Sequence, residues 1–306
     1  MATSIQIKRV VLLCAALALT AGPRTARAQP AQITVGMYAP TIEFGAAQAR
    51  LEYIQGLAKA IQQATGIKTE AQSYATIAAL RKAAIDYAII DGVCYATNLG
   101  WKLLATANIG GGTTRAWALY SSRGDTLQAL RGKKLAFIAT GCNDAGFIDN
   151  AMLESEVDPA FFGARTAKAD LTAAIAEVSA YKTADAVFAP TGSARGLRKV
   201  LDAGVVPNPA FVDISGRNPP AISDKVAAAV LGYGGGTIAS WTRPAREIYT
   251  SLAGRLGRTV KQGIPASPEP VHIDARDVLV EPVTLKDTAA IDVRHYFVRS
   301  SGDRME

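Results

Sequence analysis

Histidine and cysteine are scarce in this chain of 306 residues, with two and three respectively. Both histidines, His272 and His295, fall in the C-terminal tail, far in sequence from every cysteine, so no His/Cys cluster with metal-ligand spacing exists. Three cysteines do not make a disulfide scaffold, so stability must come from packed apolar cores. No HExxH, no Gly-x-Ser-x-Gly elbow and no paired-acid motif is present. Gly234-Gly235-Gly236-Thr237 lacks the Lys-Ser/Thr ending and the preceding strand of a phosphate loop and reads as a turn. There is no internal repeat and no low-complexity tract. Apolar runs are short: the longest, VVLLCAALALTA over 10–21, has 12 residues, where a membrane span needs about 20.

That run has another meaning. Lys8 and Arg9 precede it, and Ala26-Arg27-Ala28 follows as a small-x-small cleavage site. Residues 1–28 therefore read as a secretion signal, with the mature chain beginning at Gln29 in the periplasm. Cys14 lies inside the apolar run behind Leu12-Leu13, not after small residues as a lipid acceptor would, and goes with the leader. The formal charge of +7 is inflated by Lys8, Arg9, Arg24 and Arg27; the remainder carries 29 basic against 26 acidic residues, a net +3. So mild a charge, with no basic stripe, argues against nucleic acid as a partner.

The mature chain alternates short buried strands with helices. Strands are expected over 33–37, 69–72, 86–90, 116–121, 135–138, 185–189 and 211–214. Helices are expected over 43–65, 74–84, 144–155, 170–179 and 192–203, with Gly66 ending the first. In the tail, 224–231 and 244–256 read as helices and 278–283 and 293–298 as strands. This alternation predicts an α/β fold with parallel sheets. Two such units in succession predict two lobes, 29–116 with 212–306 and 117–211, with crossing strands near 115–121 and 208–215. Ligands of open α/β sheets bind where strands end in small-residue loops that open helices. The stretch 130–153, LRGKKLAFIATGCNDAGFIDNAML, has that form.

Four segments carry a resemblance: ITVGMYAP (33–40), IAALRKAAIDYAIIDGVCYA (77–96), LQALRGKKLAFIATGCNDAGF (127–147) and TAAIAEVSAYKTADAVFA (172–189). Together they resemble the periplasmic substrate-binding proteins of ABC importers, in the phosphate/phosphite/phosphonate-binding group of the type II fold. The third segment, with its L-x-x-L-x-G-K-K-x-A-F run into an anion loop, is the most specific. The likeness runs from residue 33 to Phe211 and weakens in the tail. It implies a two-lobed α/β clamp that closes on a small, oxyanionic solute without catalysis, uses no cofactor or metal, docks on a membrane permease and works as a monomer.

The resemblance also places the site. It implies ligand contacts from Tyr38 and Tyr95 at strand ends, from the loop Thr140, Cys142, Asn143, Asp144, Ala145 and Gly146, and from Lys168. The departures lie in the same loop. The family has Ser-Thr-Ser-Gly where this chain has Asn143-Asp144-Ala145-Gly146, and a His where it has Lys168. Pro190-Thr191 stands where the family can place an acid. A helix start carries roughly half a positive charge and attracts anions. Asp144 would meet that charge itself, as an N-cap, and would favour a donor-bearing or cationic solute. Asp91, after the third strand, reads as a cap for the next helix or as a further contact.

Cys94 and Cys142 belong to crevice loops of opposite lobes in this scheme. A disulfide needs Cα atoms within about 7 Å, which only a closed clamp satisfies, and such a bond would lock the lobes. Two buried free thiols are the plainer expectation. Two alternatives to a receptor stay open: an exported enzyme with Cys142 as a nucleophile near a helix start, and a ligand-sensing subunit of a signalling system on the same fold.

Overall fold

The computed structural model describes residues 31–258. The secretion signal expected over 1–28, the strands expected at 278–283 and 293–298, His272 and His295 lie outside them.

Two sheets organise the described residues. The first contains β1 (Ile33–Tyr38), β2 (Thr69–Ser73), β3 (Tyr87–Ile90), β4 (Lys102–Asn108), β10 (Ala210–Asp213) and β11 (Ser240–Thr242), in the order β2-β1-β3-β10-β4-β11. The second contains β5 (Thr114–Ser121), β6 (Lys134–Ile138), β7 (Ala164–Lys168), β8 (Ala186–Pro190) and β9 (Arg198–Pro207), in the order β7-β6-β8-β5-β9. In both, the strands joined through helices pair in parallel (β1 with β2 and β3, β6 with β7 and β8), and the crossing strands β5 and β10 run antiparallel to their neighbours. The chain passes from the first sheet to the second through 109–113 and returns through Asn208-Pro209. Asn208 ties the two passages together: its amide donates to the Gly112 carbonyl at 2.8 Å, and its carbonyl oxygen accepts from Arg115 Nε at 3.0 Å.

The period-2 pattern of β1 sorts the first core. Ile33, Val35 and Met37 point to one face with Tyr87, Ile89 and Phe211, covered by α1 (Ala47–Thr65) and α6 (Pro220–Leu231). Tyr38, Ala88, Ile90 and Val212 point to the other, covered by α2 (Ile77–Lys82), α3 (Gly92–Ala96) and Tyr249 of α7 (Arg246–Leu256). The second sheet has its own core around Trp117, Leu119, Leu135, Val187 and Phe188, covered by α5 (Leu171–Ser179) and the helical segment 144–152. Leu252 and Leu256 of α7 join this second core, so α7 spans both lobes.

Several sequence expectations need correction. The segment 192–203 is no helix. Gly192 and Gly196 sit at φ 92° and 80°, outside helical geometry, and the residues from Arg198 onward pair as β9 with β5, Leu201 opposite Leu119. Pairing along a sheet edge outweighs the local helix propensity of Ala, Leu, Arg and Lys. The helix expected at 144–155 is one α-turn, α4 (Asp144–Gly146), continued as a π-helix over Phe147–Met152. It stops there because Glu154 and Ser155 adopt left-handed backbone at φ 54° and 61°. The first helix starts at Ala47, not 43, because Ala46 is still extended. The sequence pattern does not predict β4, β7 or β11; the crossing strands expected near 115–121 and 208–215 are β5 and β10.

Candidate functional site

Between the two sheets the lobes meet along a closed seam and an open cleft. The seam is built at three strand ends. β1 ends at Tyr38, whose hydroxyl reaches across to the second lobe and donates between the carbonyls of Thr140 (3.0 Å) and Ala139 (3.2 Å). β3 ends at Asp91, which caps α3: Oδ1 accepts from Val93 N at 3.0 Å. Its Oδ2 accepts from Thr41 N at 3.2 Å and Thr41 Oγ1 at 2.5 Å, so one carboxylate fixes both the start of α3 and the loop after β1. α3 lies flush against the returning chain, since a Cβ on Gly92 would come within 2.1 Å of the Pro207 carbonyl oxygen. β6 ends in the loop 139–143, where Asp144 is occupied by its own turn: Oδ1 accepts from Thr140 N (3.0 Å) and Thr140 Oγ1 (2.5 Å), and Oδ2 from Gly141 N (3.1 Å). Asn143, at φ 66°, caps the helix start by accepting from Gly146 N at 3.1 Å.

The seam is closed covalently. Cys94 of α3 and Cys142 of the β6 loop form a disulfide, with Cα atoms 5.0 Å apart. Further along, Leu171 N donates to the Pro40 carbonyl at 3.0 Å, Arg115 Nη2 to the Thr41 carbonyl at 3.1 Å, and Ser193 Oγ to Glu43 Oε2 at 3.1 Å. Burial pushes the Asp91 carboxyl above its ordinary value, against the hydrogen bonds from Thr41 and Val93 and the nearby charge of Arg115. Burial, with the charges of Asp91 and Asp144, raises the Tyr38 phenol, which keeps it a neutral donor.

Beyond Pro40 the lobes part into a cleft of about 570 Å³. The first lobe contributes Phe44, the start of α1 and Arg50; the second contributes Lys168, Asp170, Glu177 and Tyr181. Lys168 Nζ pairs with Glu177 Oε1 at 2.5 Å, and the hydrogen bonds from Lys168 and Thr183 lower the Glu177 carboxyl. Asp170 Oδ1 caps α5, accepting from Ala173 N at 2.9 Å. Arg50 has no ion-pair partner among the described residues. α1 begins with no side-chain cap, so its first N–H groups face the cleft without a side-chain acceptor. The cleft therefore has two cations, Arg50 and Lys168, and two carboxylates, Asp170 and Glu177, of which Lys168 and Glu177 pair with each other, inside an apolar-aromatic rim, the composition of a small-solute site.

Solved structures share this arrangement of two lobes. The binding protein component of a phosphonate ABC transporter from Pseudomonas aeruginosa superposes with a TM-score of 0.56 at 15% identity, covering 71% of this chain and 82% of that one. PhnD1 from Prochlorococcus marinus, in complex with methylphosphonate, gives 0.58 at 12% identity over 74% and 98%. A Xanthomonas citri protein bound to ATP gives 0.55 at 13% over 74% and 97%. The chain has the two-lobed periplasmic binding protein fold. No protein-family model matches the sequence, and no curated protein does. No helix among the described residues is long and apolar enough to cross a membrane.

Within this binding-protein fold the residues singled out from sequence divide into two groups. Tyr38, Thr140 and Cys142 are at most 3% exposed and belong to the seam. Tyr95 is fully buried, its hydroxyl donating to the Trp101 carbonyl at 3.3 Å and its ring packed edge-on against Tyr249. Asn143, Asp144 and Gly146 serve the turn that follows β6, and Ala145 is exposed beside them. None of these eight lines the 570 Å³ cleft. Lys168 alone does. The expectation of free thiols is overturned by the disulfide, and with it the reading of Cys142 as a nucleophile, since a disulfide sulfur offers no thiolate. Sequence reasoning missed Phe44 and Arg50. A signal existed for Arg50: it stands at i−4, i−7 and i−11 from Ile54, Leu57 and Ile61, a cation on the buried stripe of α1.

Proposed function

We propose that the protein is an exported solute receptor that takes a small anionic ligand in the cleft between Arg50 and Lys168 and presents it to a membrane permease, with no bond made or broken. The observation that carries this reading is the interlobe cleft itself, with Arg50 in no ion pair among the described residues and a helix start opening onto it. Both favour an oxyanion or a carboxylate. The P. marinus relative of the same fold holds methylphosphonate and the X. citri relative ATP, so phosphorus oxyanions head the list of probes.

The test is a thermal-shift and calorimetric screen of residues 29–306 against phosphate, phosphite, methylphosphonate, ATP, sulfonates and amino acids. A ligand at a hundred times its Kd stabilises by about 2.7 kcal/mol. Arg50→Ala should weaken the hit by at least about tenfold, the value of one charge-assisted hydrogen bond, while Tyr95→Phe leaves it unchanged. A hit indifferent to Arg50 but abolished by Asp144→Ala would return the site to the β6 loop. The absence of any hit would remove the receptor reading.

A further inference from the structure

The disulfide joins residues 48 apart in sequence that belong to different lobes, α3 of the first and the β6 loop of the second. Around it the seam is tight. Cys94 is 0% exposed and Cys142 3%, Tyr38 spans to the Thr140 carbonyl, and a Cβ on Gly141 would sit 3.2 Å from Ile77 of the first lobe. Gly141 is also at φ +67°, so the loop reaches α3 by a backbone that other residues rarely adopt. The passages at Gly112 and Asn208 and the helix α7 hold the lobes together on the hinge side. The other bonds that cross the seam, from Tyr38, Leu171, Arg115 and Ser193, are individually weak and reversible.

We infer that Cys94–Cys142 is a covalent interlobe latch: while oxidised, it keeps the seam shut with or without solute in the cleft, and its reduction frees the lobes to part at Tyr38 and Thr140. The opening step consumes a dithiol. Its thiolate attacks one sulfur of the Cys94–Cys142 bond, its second thiol resolves the mixed disulfide, and the products are two cysteine thiols and the oxidised dithiol. Because both sulfurs are buried, attack requires local opening of the 139–143 loop, which makes the latch slow to release in an oxidising compartment. Solute then exchanges through the cleft beside Arg50 rather than by full separation of the lobes. The latch stands on the seam and does not depend on which solute the cleft accepts.

The experiment uses residues 29–306, in which these are the only two cysteines. Denatured, unreduced protein should take up no iodoacetamide by mass, and two equivalents after dithiothreitol; uptake without reduction overturns the latch. Native protein reduced by dithiothreitol should then expose Cys94 and Cys142 to iodoacetamide within about tenfold of the rate of free cysteine, while the amides of α1 stay protected from hydrogen exchange. Thiols that remain unreactive natively would show that the seam stays shut without the bond. Loss of α1 protection would make the bond a folding staple instead, and either result overturns the latch. Cys142→Ser, with Cys94 read in the same way, checks the conclusion without reductant. A solute found by the screen should bind the oxidised protein whatever these outcomes, so the two readings fail separately.

Discussion

Replacing both Cys94 and Cys142 with serine should lower the unfolding free energy of residues 29–306 by about 4 kcal/mol. The estimate follows from the 48-residue separation of the pair: cross-linking over a loop of that size removes about 4 kcal/mol of chain entropy from the unfolded ensemble at 25 °C. Position 94 can accept the change locally, because a serine hydroxyl there lies within reach of the Thr140 carbonyl, now 3.6 Å from the Cys94 sulfur. The loss should appear in urea as a lower midpoint together with a steeper slope, since an uncrosslinked unfolded chain exposes more surface. For a protein of this size it amounts to roughly 8–16 °C in Tm. The same loss should follow when wild type is measured in dithiothreitol, which separates the bond from the side chains that form it. A change below about 1 kcal/mol in both experiments would mean that the two lobes draw no stability from being joined.

The pair shows where reading the sequence stops. Strands 33–37, 86–90 and 135–138 were legible because they are short, mostly apolar runs bounded by turn residues, and they form the parallel cores of the two sheets. β4, with its helix-favouring Lys-Leu-Leu-Ala-Thr-Ala-Asn, and β7, a polar Ala-Arg-Thr-Ala-Lys at a sheet edge, are strands only because a neighbour pairs with them. The disulfide depends on a more distant relation still, the approach of a loop in one lobe to a helix in the other. No local pattern around Cys94 or Cys142 encodes that approach. The site behaves in the same way. Asp144 announced itself as a cap and is one, its two oxygens spent on Thr140 and Gly141. Its distance from the cleft was invisible. Lys168 enters the cleft at the end of β7, and its partner Glu177 comes from the next helix, a pairing of i and i+9 that only the strand-to-helix turn explains. Arg50 was readable in principle as a charge interrupting an apolar stripe.

Asp91→Ala should cost about 3 kcal/mol, the second large effect expected of a single position. The substitution strands three donors at once, Thr41 N, Thr41 Oγ1 and Val93 N, in a place where Asp91 is 0% and Thr41 3% exposed. Each buried donor left unmatched costs about 1–3 kcal/mol, and the helix cap is lost with them. Against this stands relief from burying a charge, the cause of the raised Asp91 carboxyl, which keeps the net loss below the sum of the three. The pH dependence separates the two contributions. Below the ordinary value of 3.8, Asp91 is protonated folded and unfolded alike, and contributes no slope. Between 3.8 and its raised folded value, the folded protein holds a proton that the unfolded chain has released, so stability from this group falls as pH rises. Above the folded value the penalty is constant. Asn carries no such proton, so the difference between wild type and Asp91→Asn should be largest near the acid end and shrink toward neutrality, measured by urea midpoints from pH 4 to 8. A difference that grows with pH would mean that the folded carboxyl is held low, the hydrogen bonds from Thr41 and Val93, with the charge of Arg115, outweighing burial. Because Asp91 anchors the loop through Thr41 and the cleft wall begins at Ile42, the alanine variant should also loosen the cleft wall by way of a carboxylate that does not line the cleft.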